Sequence, residues 1–175
     1  MNWILDNVAI GSWRDASNSS LLKNEGIKAI LNVRADEDDP IKKENNEREK
    51  KYCIANGINY CHLPVPDSTV ATDDQLIRGI VFIERNVRLG RRILVHCGEG
   101  LGRSPSFVAA YLIFKGNTSE KAVDLMKKKR CRSFEGSDSI HIPRLKRFEA
   151  ELTSKLPQID KLMESDLEDL CCGSS

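Results

Sequence analysis

Arg92-Ile93-Leu94-Val95-His96-Cys97 runs without a break into Gly98-Glu99-Gly100-Leu101-Gly102-Arg103-Ser104, and Arg103 to Lys115 then stays almost wholly apolar. A short β-branched run, a glycine-rich turn and a long apolar stretch predict a buried strand feeding a central helix. Glycines let consecutive backbone N–H groups turn inward into a concave nest. The following helix adds its own unpaired amides and the positive end of its dipole. Such a cup, built from Gly98, Glu99, Gly100, Leu101, Gly102 and Arg103, binds a tetrahedral oxyanion. Arg103 at the rim offers a planar two-pronged donor to two phosphate oxygens, which a lysine does not. The same field favours an ionised sulfur at the base of the cup, so Cys97 reads as a thiolate nucleophile. Ser104 is placed to donate a hydrogen bond to that sulfur, and His96 to orient the loop through a ring N–H. The plainer alternative is a small buried cysteine ending a strand before an ordinary turn. The coincidence of every spacing argues against it.

Outward from this segment, strands and helices alternate. Trp3-Ile4-Leu5 and Val8-Ala9-Ile10-Gly11 read as two strands about an Asp6-Asn7 turn, followed by a short helix ending at Gly26. Ile27 to Val33 is a continuous aliphatic run, expected to be an interior strand. Asp39 caps and Pro40 opens a very polar helix reaching Gly57, which is expected to be largely solvated and to serve as a connection. Ile58 to Leu63 predicts another strand, ended by Pro64-Val65-Pro66, so that Asp67 falls in a loop after it. Thr72-Asp73-Asp74-Gln75 has the form of a capping box and starts a helix stopped by Gly90. Thr118 caps a further helix ending in Lys127 to Arg130, and Ile142, Leu145, Phe148 and Leu152 form an apolar stripe on the next. After Pro157, Ile159, Leu162, Met163, Leu167 and Leu170 mark a last amphipathic helix. This alternation predicts an α/β sandwich around a short, mostly parallel sheet, with helices on both sides.

The segment His96 to Ser104 resembles the signature of the protein tyrosine phosphatase superfamily, a His-Cys, five residues, then Arg-Ser or Arg-Thr. The Trp3 to Gly11 hairpin, the Pro66-Asp67 pair and Ala110-Tyr111-Leu112 extend the resemblance to the small dual-specificity type. The resemblance covers residues 1–152, expected to form the catalytic domain. Residues 153–175 are expected to add an amphipathic helix and a short tail packed on it. It implies a sheet of four to five strands, no cofactor, no metal, and a two-step reaction through phosphocysteine. It also implies Asp67 as the general acid, from a movable loop. Asp73 and Asp74 are rivals by spacing, but both are better read as helix-start residues complementing the dipole. Two departures stand out. Glu99 puts a carboxylate in a phosphate loop, expected to point outward toward solvent or a basic neighbour. Cys131 to Asp138 lacks the Pro-Asn pattern of relatives, which leaves the positioning of the attacking water open.

Composition sets the wider bounds. The chain has 175 residues, 40% hydrophobic and 30% charged, with a formal net charge of +1. These are the proportions of an ordinary globular domain, with no overall bias toward nucleic acid and no apolar run long enough to span a bilayer. The N-terminus does not read as a secretory signal, and six cysteines at irregular spacing read as reduced thiols, so a cytoplasmic setting is expected. Lys127 to Arg130 sit where cations complement a helix C-terminus, with steering of acidic phosphopeptides as the alternative. Cys53, Cys61 and Cys131 read as incidental thiols rather than as partners of Cys97. Cys172-Gly173-Ser174-Ser175 is a poor match to a prenylation signal. The expected function is a protein phosphatase acting on a phosphoprotein or phosphopeptide, hydrolysing phosphotyrosine, with phosphoserine and phosphothreonine as further candidates. The alternatives are a non-protein phosphate (an RNA 5′ end, a nucleotide or a phosphoinositide) and, less favoured, a phosphate-binding module without catalysis. The sequence carries no indication of oligomeric state.

Overall fold

The computed structural model describes residues 1–36 and 40–165. Its centre is a five-stranded sheet in the order β1-β2-β5-β3-β4, comprising β1 (Asn2–Leu5), β2 (Val8–Ser12), β3 (Ile27–Arg34), β4 (Asn59–Val65) and β5 (Arg92–Cys97). β1 and β2 form an antiparallel hairpin, and every other pairing is parallel. β5 lies in the middle, and its residues Ile93, Leu94 and Val95 are fully buried, as a strand covered on both faces requires. In register, Ser12 stands beside Cys97 and Asn32 beside His96. The C-terminal ends of β2 and β3 therefore flank the nucleophile, at the edge where parallel α/β sheets bind ligands.

One face of the sheet carries α4 (Asp73–Arg88), α5 (Arg103–Phe114), α6 (Ser119–Lys129), α7 (His141–Ala150) and α8 (Leu152–Glu164). α5 is buried from Arg103 to Ile113 and packs against α4, α6 and α7, which explains why its sequence is apolar on every side. Truncating its fully buried Phe107 to alanine would cost about 3–5 kcal/mol. The opposite face carries α1 (Trp13–Ala16), α2 (Ser19–Asn24) and α3 (Pro40–Ala55) over a smaller core of Ala9, Leu22, Ile30, Cys53 and Leu94. No helix among the described residues is long and apolar enough to cross a membrane.

Several boundaries differ from the sequence reading. The helix expected before Gly26 is two pieces, because Ser12 and Asn18 each cap a separate start. β4 continues past Pro64 to Val65, because it is an edge strand and a proline there need not donate to a neighbour. The last helix begins at Leu152, with Pro157 inside it rather than before it. Ile159 of that helix is fully buried in the main core, and Arg85 of α4 donates to the carbonyls of Leu162 and Ser165. The expected cap Asp39, the apolar positions Leu167 and Leu170, and Cys171 and Cys172 lie outside the described residues.

Candidate active site

Cys97 ends β5 with 3% of its surface exposed, and its Sγ accepts hydrogen bonds from the Gly100 N–H at 3.3 Å and the Ser104 hydroxyl at 3.4 Å. What turns the loop's N–H groups inward is the way its carbonyls are tied outward. The Gly98 carbonyl accepts from the Trp13 N–H at 3.0 Å, and the Leu101 carbonyl from the Phe134 N–H at 2.8 Å. Between them, Arg130 donates to the Glu99 carbonyl at 2.7 Å and the Gly100 carbonyl at 2.6 Å, and its third nitrogen reaches Asn2 Oδ1 at 2.7 Å. Gly100 has φ +74°, and a Cβ there would lie 2.4 Å from the Gly11 carbonyl oxygen, so only glycine fits. A Cβ on Gly102 would meet Asp138 Oδ1 at 2.1 Å.

Arg103 opens α5 with 9% exposure. One nitrogen donates to the Val65 carbonyl at 3.0 Å and another pairs with Asp67 Oδ1 at 2.9 Å. The extension of β4 to Val65 thus supplies a fixed anchor for the guanidinium. Asp67 follows on a turn, with Ser68 at φ 58° and the Asp67 side chain 64% exposed. The rival carboxylates are occupied elsewhere. Asp73 pairs with Arg144 and Lys155, and Asp74 with Arg78, tying α4 to itself and to its neighbours α7 and α8. A further carboxyl, Asp138, does line the pocket. Burial, then the charge of Asp67, hold it above the ordinary carboxylate range, with Arg103 opposing. Behind it His141 is buried, and burial together with Arg103 pushes its imidazole down to about 4.

His96 is fully buried, with Nε2 2.8 Å from Glu49 Oε1 and Nδ1 3.3 Å from the Cys97 carbonyl oxygen. Glu49 comes from α3, so this helix is more than a solvated connection; it delivers a buried carboxylate beneath the phosphate loop. Asn46 of the same helix accepts from Asn32 Nδ2, which also donates to the Tyr60 hydroxyl. Burial, then the charge of Glu49, push the neighbouring Cys53 thiol up to about 12. Glu99 points away from the loop, and its carboxylate pairs with Arg14 at 3.0 Å, both side chains being exposed. The backbone N–H of Glu99 is therefore the part that serves the cup. Among the described residues, Cys53, Cys61, Cys97 and Cys131 form no disulfide. The opening over Cys97 encloses about 370 Å³, and Arg34, Lys42, Asp67 and Asp138 are among the residues that line it.

A family model described as the dual specificity phosphatase catalytic domain matches residues 8–151. The chain belongs to that family. Human dual specificity protein phosphatase 5 is 30% identical over 156 residues, which make up 88% of this chain and 37% of the relative. The dual specificity protein phosphatase H1 of Variola virus is 28% identical over 123 residues, 68% of this chain and 62% of the viral protein. Across the first three curated relatives, this dual specificity phosphatase domain spans about a third of their length, between 26% and 37%. The crystal structure of DUSP15 superposes with a TM-score of 0.71 at 21% identity, covering 95% of this chain and 97% of that one. PTPMT1 superposes with a TM-score of 0.68 at 25% identity, covering 90% and 98%.

In this dual specificity phosphatase domain, Cys97, Gly98, Glu99, Leu101, Gly102, Arg103 and Asp67 line one pocket, Gly100 and Ser104 hydrogen-bond the Cys97 sulfur, and His96 lies buried against the Cys97 carbonyl. Sequence reasoning missed Arg34, Glu49 and Asp138, and it read Arg130 as part of a helix-end cation cluster. Arg34 had a usable signal, since a charge closing an aliphatic strand of a parallel sheet lies at the ligand-binding edge. Glu49 had none, because α3 shows no apolar stripe from which a buried face is read.

Proposed function

We propose that this chain is a cysteine-dependent phosphoprotein phosphatase. The observation that carries the reading is the Cys97 sulfur, hydrogen-bonded by Gly100 N–H and Ser104 Oγ, at the base of a loop whose carbonyls are tied outward. In the first step Cys97 sulfur attacks phosphorus, an S–P bond forms, and the P–O bond to the leaving group breaks. Asp67 gives its proton to that oxygen. In the second step a water attacks phosphorus, Asp67 takes its proton, and the S–P bond breaks to release phosphate and the thiolate. Arg103 exchanges its Asp67 contact for two phosphate oxygens and follows them as they flatten. Ser104 stabilises the departing sulfur by its hydrogen bond. A nucleophilic thiol works only while reduced, so a reducing compartment such as the cytoplasm is the setting that suits this chemistry.

The test is phosphate release from phosphotyrosine and phosphothreonine peptides, blocked by vanadate, together with Cys97→Ser. The variant is expected to release no phosphate while retaining phosphopeptide. Steady-state turnover by Cys97→Ser would point to another nucleophile. Retention of only nucleic acid, nucleotide or lipid would replace the protein substrate with a non-protein phosphate.

A further inference from the structure

Glu49 projects from α3 and is 7% exposed, a burial that a carboxylate rarely accepts without a cation beside it. Its Oε1 lies 2.8 Å from Nε2 of His96, and among the described residues His96 is the side-chain partner of this carboxylate. The other groups nearby do not balance its charge. One turn on along α3, burial and then Glu49 push the Cys53 thiol up to about 12, so that thiol stays neutral. On β4, burial, Glu49 and the thiols of Cys53 and Cys61 push the Tyr60 hydroxyl up as well, with the bond from Asn32 opposing. Asn46, one turn before Glu49, is neutral and accepts from Asn32 of β3. Charged and titratable groups on the neighbouring elements face other partners. His62 of β4 meets the Arg34 carbonyl at 2.8 Å, the Arg34 guanidinium of β3 lies 5.3 Å from the centre of the Trp13 ring, and Asp15 of α1 pairs with the N-terminal amine at 2.9 Å.

His96 has an oxygen at each ring nitrogen, Glu49 Oε1 at Nε2 and the Cys97 carbonyl oxygen 3.3 Å from Nδ1. A neutral imidazole carries one N–H and turns a lone pair toward one of these acceptors, whereas the doubly protonated ring donates to both. The ring is fully buried, so a bond left unmade there costs the whole desolvation of the group. A cation in that place stands one residue behind the Cys97 sulfur and favours its ionised form, together with the loop amides. The sulfur itself is arranged as an acceptor, taking hydrogen bonds from the Gly100 N–H and the Ser104 hydroxyl. We propose that Glu49 is a positioning residue: its carboxylate holds His96 as a doubly protonated imidazolium, and that cation keeps the Cys97 sulfur ionised before substrate arrives. The catalytic consequence rests on the phosphatase reading of Cys97, while the ion pair stands without it.

The first measurement is nitrogen NMR of the histidine rings in the wild-type protein at pH 7. The chain has three histidines, and His96→Asn identifies the signals of His96. Two protonated nitrogens are expected in His96, against one in His141, which burial and Arg103 keep neutral at that pH. A bare nitrogen in His96 overturns the proposal, including the case in which the proton sits on Glu49. The second measurement is alkylation of Cys97 by iodoacetamide between pH 5 and pH 8, with Cys97→Ser as the blank for the other thiols. In Glu49→Gln the rate is expected to fall about tenfold near pH 5.5 and to approach the wild-type rate near pH 8, because the thiolate is the reacting form. The ratio of kcat/KM between the two proteins for an aryl phosphate should follow the same course. A loss of equal size at every pH overturns the proposal, as a merely structural role predicts it. So does a Glu49→Gln effect that persists in a His96→Asn background, since Glu49 is held to act through that ring. Glu49→Asp keeps the charge and is expected to restore most of the low-pH rate. Absence of any phosphomonoester hydrolysis would sink the phosphatase reading alone, because the ring spectrum and the alkylation need no substrate.

Discussion

Across one pocket, the phosphate loop and the Asp67 loop are held by opposite means. In the first, the carbonyls of Gly98, Glu99, Gly100 and Leu101 are engaged from Trp13, Arg130 and Phe134, and the N–H groups have nowhere to turn but inward. In the second, Asp67 sits on an exposed turn and its carboxyl meets Arg103, a residue that a bound phosphate would also claim. A cup that stabilises charge must be preorganised, because reorganisation during the reaction cancels the gain. A proton donor must reach leaving groups of different height, and a turn that swings serves better. The contrast assigns rigidity to the anion site and mobility to the acid.

The largest expected effect lies on the mobile side. Asp67→Ala is expected to lower kcat by about 10²- to 10⁴-fold while substrate retention stays close to wild type. Turnover of a peptide substrate at the wild-type rate would assign the proton to Asp138, a further carboxyl that lines the pocket. On the rigid side, Arg130→Met removes the donors to the Glu99 and Gly100 carbonyls and leaves the nest free to relax. The expectation is a fall of about 10- to 100-fold in kcat/KM, with weaker inhibition by vanadate, since the anion site itself loosens. Unchanged vanadate affinity would mean that the remaining ties suffice.

How much of this contrast was legible in the sequence depends on the range of the contacts. The cup's glycines, thiol and arginine lie within a single stretch, so spacing alone conveyed its chemistry and the flanking strand and helix. The ties that hold it come from far along the chain: Arg130 sits 30 residues beyond the carbonyl of Gly100, and Glu49 sits 47 residues before His96. Nothing local distinguishes Arg130 from Lys127, Lys128 or Lys129, because each also complements the end of α6. Pro64 misled for the opposite reason. The rule that a proline ends a strand holds in a sheet interior, and the sequence did not reveal that β4 is an edge.

Acid should reach the rigid side through His141. His141 touches the phosphate loop at Gly102, and its imidazole is held at about 4 against an ordinary value of 6.5. The native state then binds fewer protons than the unfolded state between those values. Its contribution to stability is full above about pH 6.5 and is lost as pH falls toward 4. Urea midpoints are expected to drop between pH 7 and pH 4.5, and His141→Leu to flatten that slope. A slope unchanged by the substitution would assign the loss to carboxylates elsewhere.

The smallest effect tests the one carboxylate inside the cup's own sequence. Arg14 covers Glu99 from outside the loop, at 3.0 Å, with both side chains 65% exposed. An exposed pair contributes at most about 1 kcal/mol and is weakened by salt. Arg14→Gln should therefore leave the fold intact and uncover a negative charge beside an incoming dianion. KM is expected to rise by about two- to threefold at low ionic strength with kcat unchanged, and the difference should vanish near 0.5 M salt, where the screening length falls to a few ångströms. The sign matters more than the size. A fall in KM would mean that Arg14 keeps Glu99 turned toward substrate rather than away from it, and the outward carboxylate would then cease to explain why a phosphate loop tolerates one.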